Sequence, residues 1–200
     1  KSKRRPMYPF VETIRVEDGV PHNLRYHQLR MADTMCRFFP HTPVPSLASE
    51  LEARKWPAGI TWKVHVEYDA RGITLFKADE YHIRHITRLR LVVCDDIDYA
   101  YKSADRRRLE TLFAQRGEAN EVVIVRNGLL TDTSYSNIAL FDGRHWVTPR
   151  QPLLRGTMRQ SLLDDGVLTE QDIKAEDWSS YCRVSLINAM MPLGRLVCKI

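Results

Sequence analysis

The sequence predicts an α+β protein in two units, residues 1–92 and 93–200. Three observations lead there. Stretches of strand-like and helix-like hydrophobic period alternate irregularly along the chain. Tight-turn pairs such as Asp18-Gly19 and Asn127-Gly128 join strand-like runs, which makes the joined strands antiparallel. A chain of 200 residues, 44% apolar and 28% charged, is long enough to bury one large core or two small ones.

The elements follow in order. "FVETIRVEDGVP" alternates as a strand and turns at Asp18-Gly19. In "NLRYHQLRMADTMCRFF", Leu24, His27, Met31, Met35 and Phe38 recur at helical spacing. "PHTPVPS" breaks that helix, and Ser46 can cap a second through "SLASELEARKW". "ITWKVHVEYDARGITLFKA" predicts two strands joined at 69–72 and completes a first unit. Beyond it, "RLVVC" is a strand, "RRRLETLFAQRG" a helix, and "EVVIVRNGLLTDTSY" a hairpin on Asn127-Gly128. "NIALFDGRHWVTP" is another hairpin, and "RGTMRQSLLDDG" a short helix closed by Gly166. "TEQD" has capping-box spacing and predicts a helix start; "RVSLINAMMPLGRLVCKI" supplies the last strands.

Composition narrows the function classes. No apolar run is long enough to cross a bilayer and the start lacks a secretory apolar core, so a cytoplasmic location is expected. The four cysteines stand far apart, which favours reduced thiols over a zinc site, and the histidines form no metal-binding helical pattern, so no metal is expected. A net charge of +5 allows an acidic partner. The basic opening "KSKRRP" and the run "RHITRLRL" would serve a nucleic-acid binding module, but no aromatics interleave with the arginines, so nucleic acid is the remote alternative.

Chemistry gathers around one lysine. Lys102, after Tyr101, stands between an acidic-apolar run and a helix. Downstream, "NGLLTDTSYSN" places Asp132 just past a tight hairpin. "LLRGTMRQ" puts Gly156 and Thr157 at a helix start, where backbone N–H groups favour an anion such as phosphate. Arg30 follows His27 by three residues on one helical face. An amine, a carboxylate, a helix N-terminus and an arginine are the parts a pyridoxal phosphate site requires.

The order of "FVETIRVEDG", "YHQLRM", "YKSADR", "GLLTDTSYSN", "LLRGTMR" and "LINAMMP" resembles the class IV aminotransferase family, from about Phe10 to Pro192. These are the pyridoxal-phosphate enzymes of fold type IV, which include branched-chain and D-amino acid aminotransferases and 4-amino-4-deoxychorismate lyase. The resemblance implies that Lys102 is the Schiff-base lysine and proton shuttle. It places Asp132 where the family has a glutamate facing the pyridine nitrogen, and Arg30 at a phosphate contact. Gly156, Thr157 and Met158 fall at the backbone phosphate cradle, and Asn188 and Ala189 in the last strand region near the phosphate. It also implies a homodimer and a small substrate carrying an amino group and a carboxylate. Arg84, Arg88, Arg106 and Arg108 are the candidates for that carboxylate, Arg106 first because the lysine motif places it.

Within the family, "YKSADR" and "NAMMPL" are similar to the lyase patterns, which favours the lyase over an aminotransferase of the branched-chain or D-amino acid type. The sequence departs from the pattern in three ways. Asp132 is one methylene shorter than glutamate, about 1.5 Å. Asp105 replaces an asparagine, adding a negative charge near Lys102. The segment before "RLRLVV" is short for the family.

Overall fold

Residues 7–200 are described in a computed structural model of the chain. The basic opening, residues 1–6, lies outside the described residues. The chain divides into two compact units, one running to His82 and taking in Tyr101–Asp105, the other comprising Ile83–Ala100 and Arg106–Ile200.

The first unit is an antiparallel sheet with two helices. Its strands are β1 (Phe10–Glu17), β2 (Val20–Pro21), β3 (Thr61–Asp69) and β4 (Gly72–Glu80), in the order β2-β1-β3-β4. Asp18 and Gly19 both take positive φ, 49° and 80°, the geometry of the two-residue turn their identities predict. Alternation along β1 turns Phe10, Ile14 and Val16 inward against Val64, Val66 and Tyr68 of β3. Helix α1 (Leu24–Phe38) lays Met31 and Met35 on that face, and α2 (Leu47–Glu52) adds Leu47 and Leu51. Burying each methionine contributes about 1.5–3 kcal/mol. Ser46 caps α2, its Oγ accepting from Ser49 N at 3.2 Å.

The second unit holds two sheets. Strand β5 (Leu89–Val93) runs parallel to β6 (Glu121–Arg126), with α3 (Arg107–Ala114) between them in the chain, and β7 (Leu129–Thr133) returns antiparallel. Leu109 and Leu112 of α3 bury against Val92, Val122 and Ile124. Strands β8 (Asn137–Phe141), β9 (Trp146–Pro149), β10 (Leu168–Gln171), β11 (Arg183–Ile187) and β12 (Val197–Lys199) form the other sheet, ordered β10-β9-β8-β11-β12. Helix α4 (Thr157–Asp164) lies between β9 and β10 in the chain and buries Met158 beside Ala139, Leu168 and Ile187.

Two expectations change. "TEQD" starts no helix: Thr169–Gln171 belong to β10, whose Leu168 to Gln171 pair in parallel with Trp146 to Pro149. Pairing with a distant strand overrode a local capping signal. The division also differs from a single cut after residue 92. The segment 101–105 groups with the first unit because Val11 N donates to Lys102 O at 2.8 Å and Ala104 N to Pro9 O at 2.9 Å. The Tyr101 ring also packs edge-on against Phe38, with centroids 4.8 Å apart. Among the described residues, no helix is long and apolar enough to cross a membrane.

Candidate active site

In the first unit Arg30 and His27 cluster on a buried carboxylate. Glu12 occupies an inward position of β1, between Phe10 and Ile14, with no solvent exposure. Arg30 of α1 grips it with two hydrogen bonds, Nε to Oε1 at 2.9 Å and Nη2 to Oε2 at 2.6 Å. His27, one helical turn earlier, meets Oε2 through Nδ1 at 2.6 Å. Burial would raise the Glu12 carboxyl, but the Arg30 guanidinium and the bonds from His27 and Arg30 outweigh it and hold the group at about 2. Burial pushes the His27 imidazole down; Glu12 opposes that, while the Arg30 and Lys102 charges reinforce it. A neutral His27 donating Nδ1–H to an ionised Glu12 satisfies both groups. The influence of Lys102 on His27 places the lysine charge in the neighbourhood of this cluster. Extended pairing of 101–105 with the start of β1 sets its position.

In the second unit the centre is Asp132, near the end of β7. Its Oδ1 accepts from Asn137 Nδ2 at 2.9 Å, and its Oδ2 from Leu154 N at 2.9 Å. The same Asn137 amide donates to Leu154 O at 2.8 Å, so one side-chain pair ties β7, β8 and the turn before α4 together. Burial pushes Asp132 up to about 6, against the pull of those hydrogen bonds and the Arg159 charge. Gly156, the N-cap of α4, has φ −70° and ψ 147°, a conformation open to any residue. Space demands glycine there: a Cβ would stand 2.0 Å from Asn137 Oδ1.

Residues 133–136 connect Asp132 to Asn137 and are held from several directions. Glu121 Oε1 accepts from Ser134 N at 3.3 Å, and Arg106 Nη2 donates to Ser134 O at 2.7 Å. Asn188 Nδ2 reaches Tyr135 O at 3.5 Å, while its Oδ1 accepts from Met190 N and Met191 N, closing the turn that carries Ala189. Of the other arginines, Arg108 pairs with Asp96 on the surface and Arg88 is exposed. Arg84 lies over two aromatic rings.

The structure thus brings Arg30 together with His27 in the first unit, near the Lys102 charge. In the second it joins Asp132 to the turn before Gly156, Thr157 and Met158, and Asn188 to the loop after Asp132. Glu12, Glu121 and Asn137 were not singled out as site residues from sequence. Glu12 had a signal, since an acid stands at the inward phase of an alternating strand; Glu121 had none, because every residue from Glu121 to Val125 is buried.

These residues fit pyridoxal phosphate on two observations. Asp132 is a buried carboxylate that ionises above about 6, suited to a protonated ring nitrogen. Gly156 brings no side-chain cap to the first turn of α4, whose N–H groups and dipole favour an anion.

A buried carboxylate of this kind, a helix start open to an anion and an α+β fold suit a pyridoxal-phosphate enzyme. The model of the family "Amino-transferase class IV" matches residues 10–197, and the chain belongs to that family. An uncharacterised protein of Haemophilus influenzae is 34% identical over 186 residues, covering 92% of this chain and 98% of its own. A Schizosaccharomyces pombe protein named "Putative aminodeoxychorismate lyase" is 32% identical over 92 residues, 43% of this chain and 38% of its own. A crystal structure of "a putative 4-amino-4-deoxychorismate lyase" from Haemophilus somnus superposes with a TM-score of 0.86 at 31% identity, covering 94% of this chain and 99% of that one. The fold is that of the fold type IV enzymes.

Proposed function

We propose that this protein is a pyridoxal-phosphate-dependent lyase acting on 4-amino-4-deoxychorismate, releasing pyruvate and leaving 4-aminobenzoate. The observation that carries it is the end-to-end likeness to the Haemophilus somnus structure, whose name specifies that lyase. The Asn188-Ala189 turn, tied by Asn188 to the loop after Asp132, supports it from within the chain.

Lys102 would supply the amine that anchors the cofactor aldehyde and would take the proton from the substrate carbon bearing the amino nitrogen. The cofactor, when bound, supplies a sink for the electrons this leaves. Asp132 holds the proton on the ring nitrogen. Arg30, oriented by Glu12, and the N–H groups of Gly156, Thr157 and Met158 hold the phosphate. Asn188 and Ala189 flank it. In the lyase, loss of that proton would be followed by cleavage of the bond from the neighbouring ring carbon to the enolpyruvyl oxygen, leaving the ring aromatic while the departing enolpyruvate takes up a proton and leaves as pyruvate; in an aminotransferase, the proton would instead return to the bound molecule and the amino group would be transferred.

The test is the visible spectrum with added pyridoxal phosphate. The expected outcome is a band near ~400–430 nm that Lys102→Ala does not form and that borohydride fixes covalently on Lys102. Release of 4-aminobenzoate and pyruvate, without amino transfer to a 2-oxo acid, then separates the lyase from an aminotransferase. A chain that takes up no cofactor refutes the proposal.

A further inference from the structure

Arg84, just upstream of β5, has an unusual mounting for a residue of an irregular segment. Its guanidinium carbon lies 5.0 Å from the ring centroid of Tyr135 and 5.5 Å from that of Phe113. Its Nη1 lies 3.7 Å from Oε2 of Glu121, a side chain with no solvent exposure. That Oε2 has no hydrogen-bond partner among the described residues, while Oε1 is taken by Val122 N and Ser134 N. Two rings and a buried charge therefore fix the guanidinium, yet 49% of the Arg84 side chain remains exposed. A planar fork held in place and open to solvent suits a carboxylate, because little side-chain freedom is left to lose on binding.

A second guanidinium is fastened to the same dipeptide. Arg106 donates to Ser134 O, next to the Tyr135 ring that carries Arg84. Ser134 and Tyr135 follow Asp132 by two and three residues, and Arg106 follows Lys102 by four. Two permanent positive charges thus meet the same dipeptide, Ser134-Tyr135, on the loop adjoining the proposed ring-nitrogen partner, and only Arg84 is paired with the buried Glu121.

We propose that Arg84 and Arg106 form the recognition site for a substrate bearing two carboxylates, with Arg84, positioned by Glu121, as the specificity-determining residue. This rests on the lyase function proposed above, whose substrate carries one carboxylate on the ring and one on the enolpyruvyl group. An amino acid with a single carboxylate engages only one of the two arginines.

The experiment is calorimetric binding of benzene-1,3-dicarboxylate and of benzoate to the full chain, with and without pyridoxal phosphate, for the wild type, Arg84→Gln, Arg84→Lys and Arg106→Gln. The wild type is expected to bind the dicarboxylate about tenfold or more tightly than benzoate. Arg84→Gln should erase that preference, and Arg84→Lys should restore only part of it because the fork is lost. Equal affinity of the wild type for the two probes, or an unchanged preference in Arg84→Gln, overturns the proposal. Cofactor uptake is read separately from the visible band in the same samples. A missing band in every sample counts against the lyase function, whereas a normal band with no dicarboxylate preference counts against the arginine pair alone.

Discussion

Replacing Gly156 by alanine puts the packing around Asp132 to a quantitative test. At φ −70° the backbone accepts alanine, and on conformational grounds alone the change should stabilise the chain by about 0.4–1 kcal/mol. The close approach reverses that sign. The new Cβ would lie 2.0 Å from Asn137 Oδ1 and 3.2 Å from its Cγ, so the amide must retreat by more than ~1 Å to reach ordinary contact. Asn137 is no flexible surface group: it is buried, and its Nδ2 bonds both Asp132 Oδ1 at 2.9 Å and Leu154 O at 2.8 Å. Losing a bond to a carboxylate and one to a peptide costs about 2–4 kcal/mol. The net expectation is a loss of roughly 1–3.5 kcal/mol, a fall in melting temperature of several degrees. Thermal and urea unfolding of Gly156→Ala measure it. The decisive comparison is Asn137→Ala, which removes the obstructing amide: there the Gly156→Ala substitution should cost almost nothing further. A melting temperature equal to or above wild type, or an equal cost in both backgrounds, would refute the reasoning.

Two further outcomes follow from the buried carboxylates. Glu12→Gln leaves Arg30, only 16% exposed, without its counter-charge and should destabilise the chain by about 3 kcal/mol or more by chemical denaturation. Because the folded Glu12 sits at about 2 against an ordinary 4.5, its contribution is fully present above pH 4.5 and disappears as pH falls toward 2. The gap between wild type and Glu12→Gln should close over that range; a constant gap refutes the ion-pair account. Asp132 is raised from 3.8 to about 6, so its carboxyl is protonated below that pH and cannot hold a cationic ring nitrogen. The ratio of wild-type to Asp132→Asn affinity for pyridoxal phosphate, followed by absorbance, should therefore fall as pH drops through about 6, and a flat ratio removes Asp132 from that role.

Several features were legible in the sequence for physical reasons that act locally. The i, i+3 spacing of His27 and Arg30 put both on the face of α1 that meets β1, because helical geometry leaves no other choice. Asn127-Gly128 forecast the hairpin of β6 and β7, since both residues tolerate the positive φ they adopt, 52° and 76°. The order of short motifs identified the family, which the match over residues 10–197 shows. Long-range pairing hid the rest. "TEQD" reads as a helix start until β9 lies alongside and takes its backbone hydrogen bonds. Arg106, first choice for a substrate carboxylate, also donates to Ser134 O, a bond across 28 residues that no local pattern announces.

The sequence by itself determined the family, through the order of its short motifs from about Phe10 to Pro192, because each motif is a run of neighbouring residues that needs no distant contact to be read. It also determined most strands and helices, whose periods are properties of neighbouring residues. Only the tertiary structure decided that Glu12 is the buried counter-charge of Arg30, that Asp132 is locked through Asn137 to the turn before Gly156, and that Arg84 is mounted on Tyr135 and Glu121. Apart from the Asp132–Asn137 bond, each of those contacts joins residues 17 or more positions apart, and burial then sets its electrostatic strength.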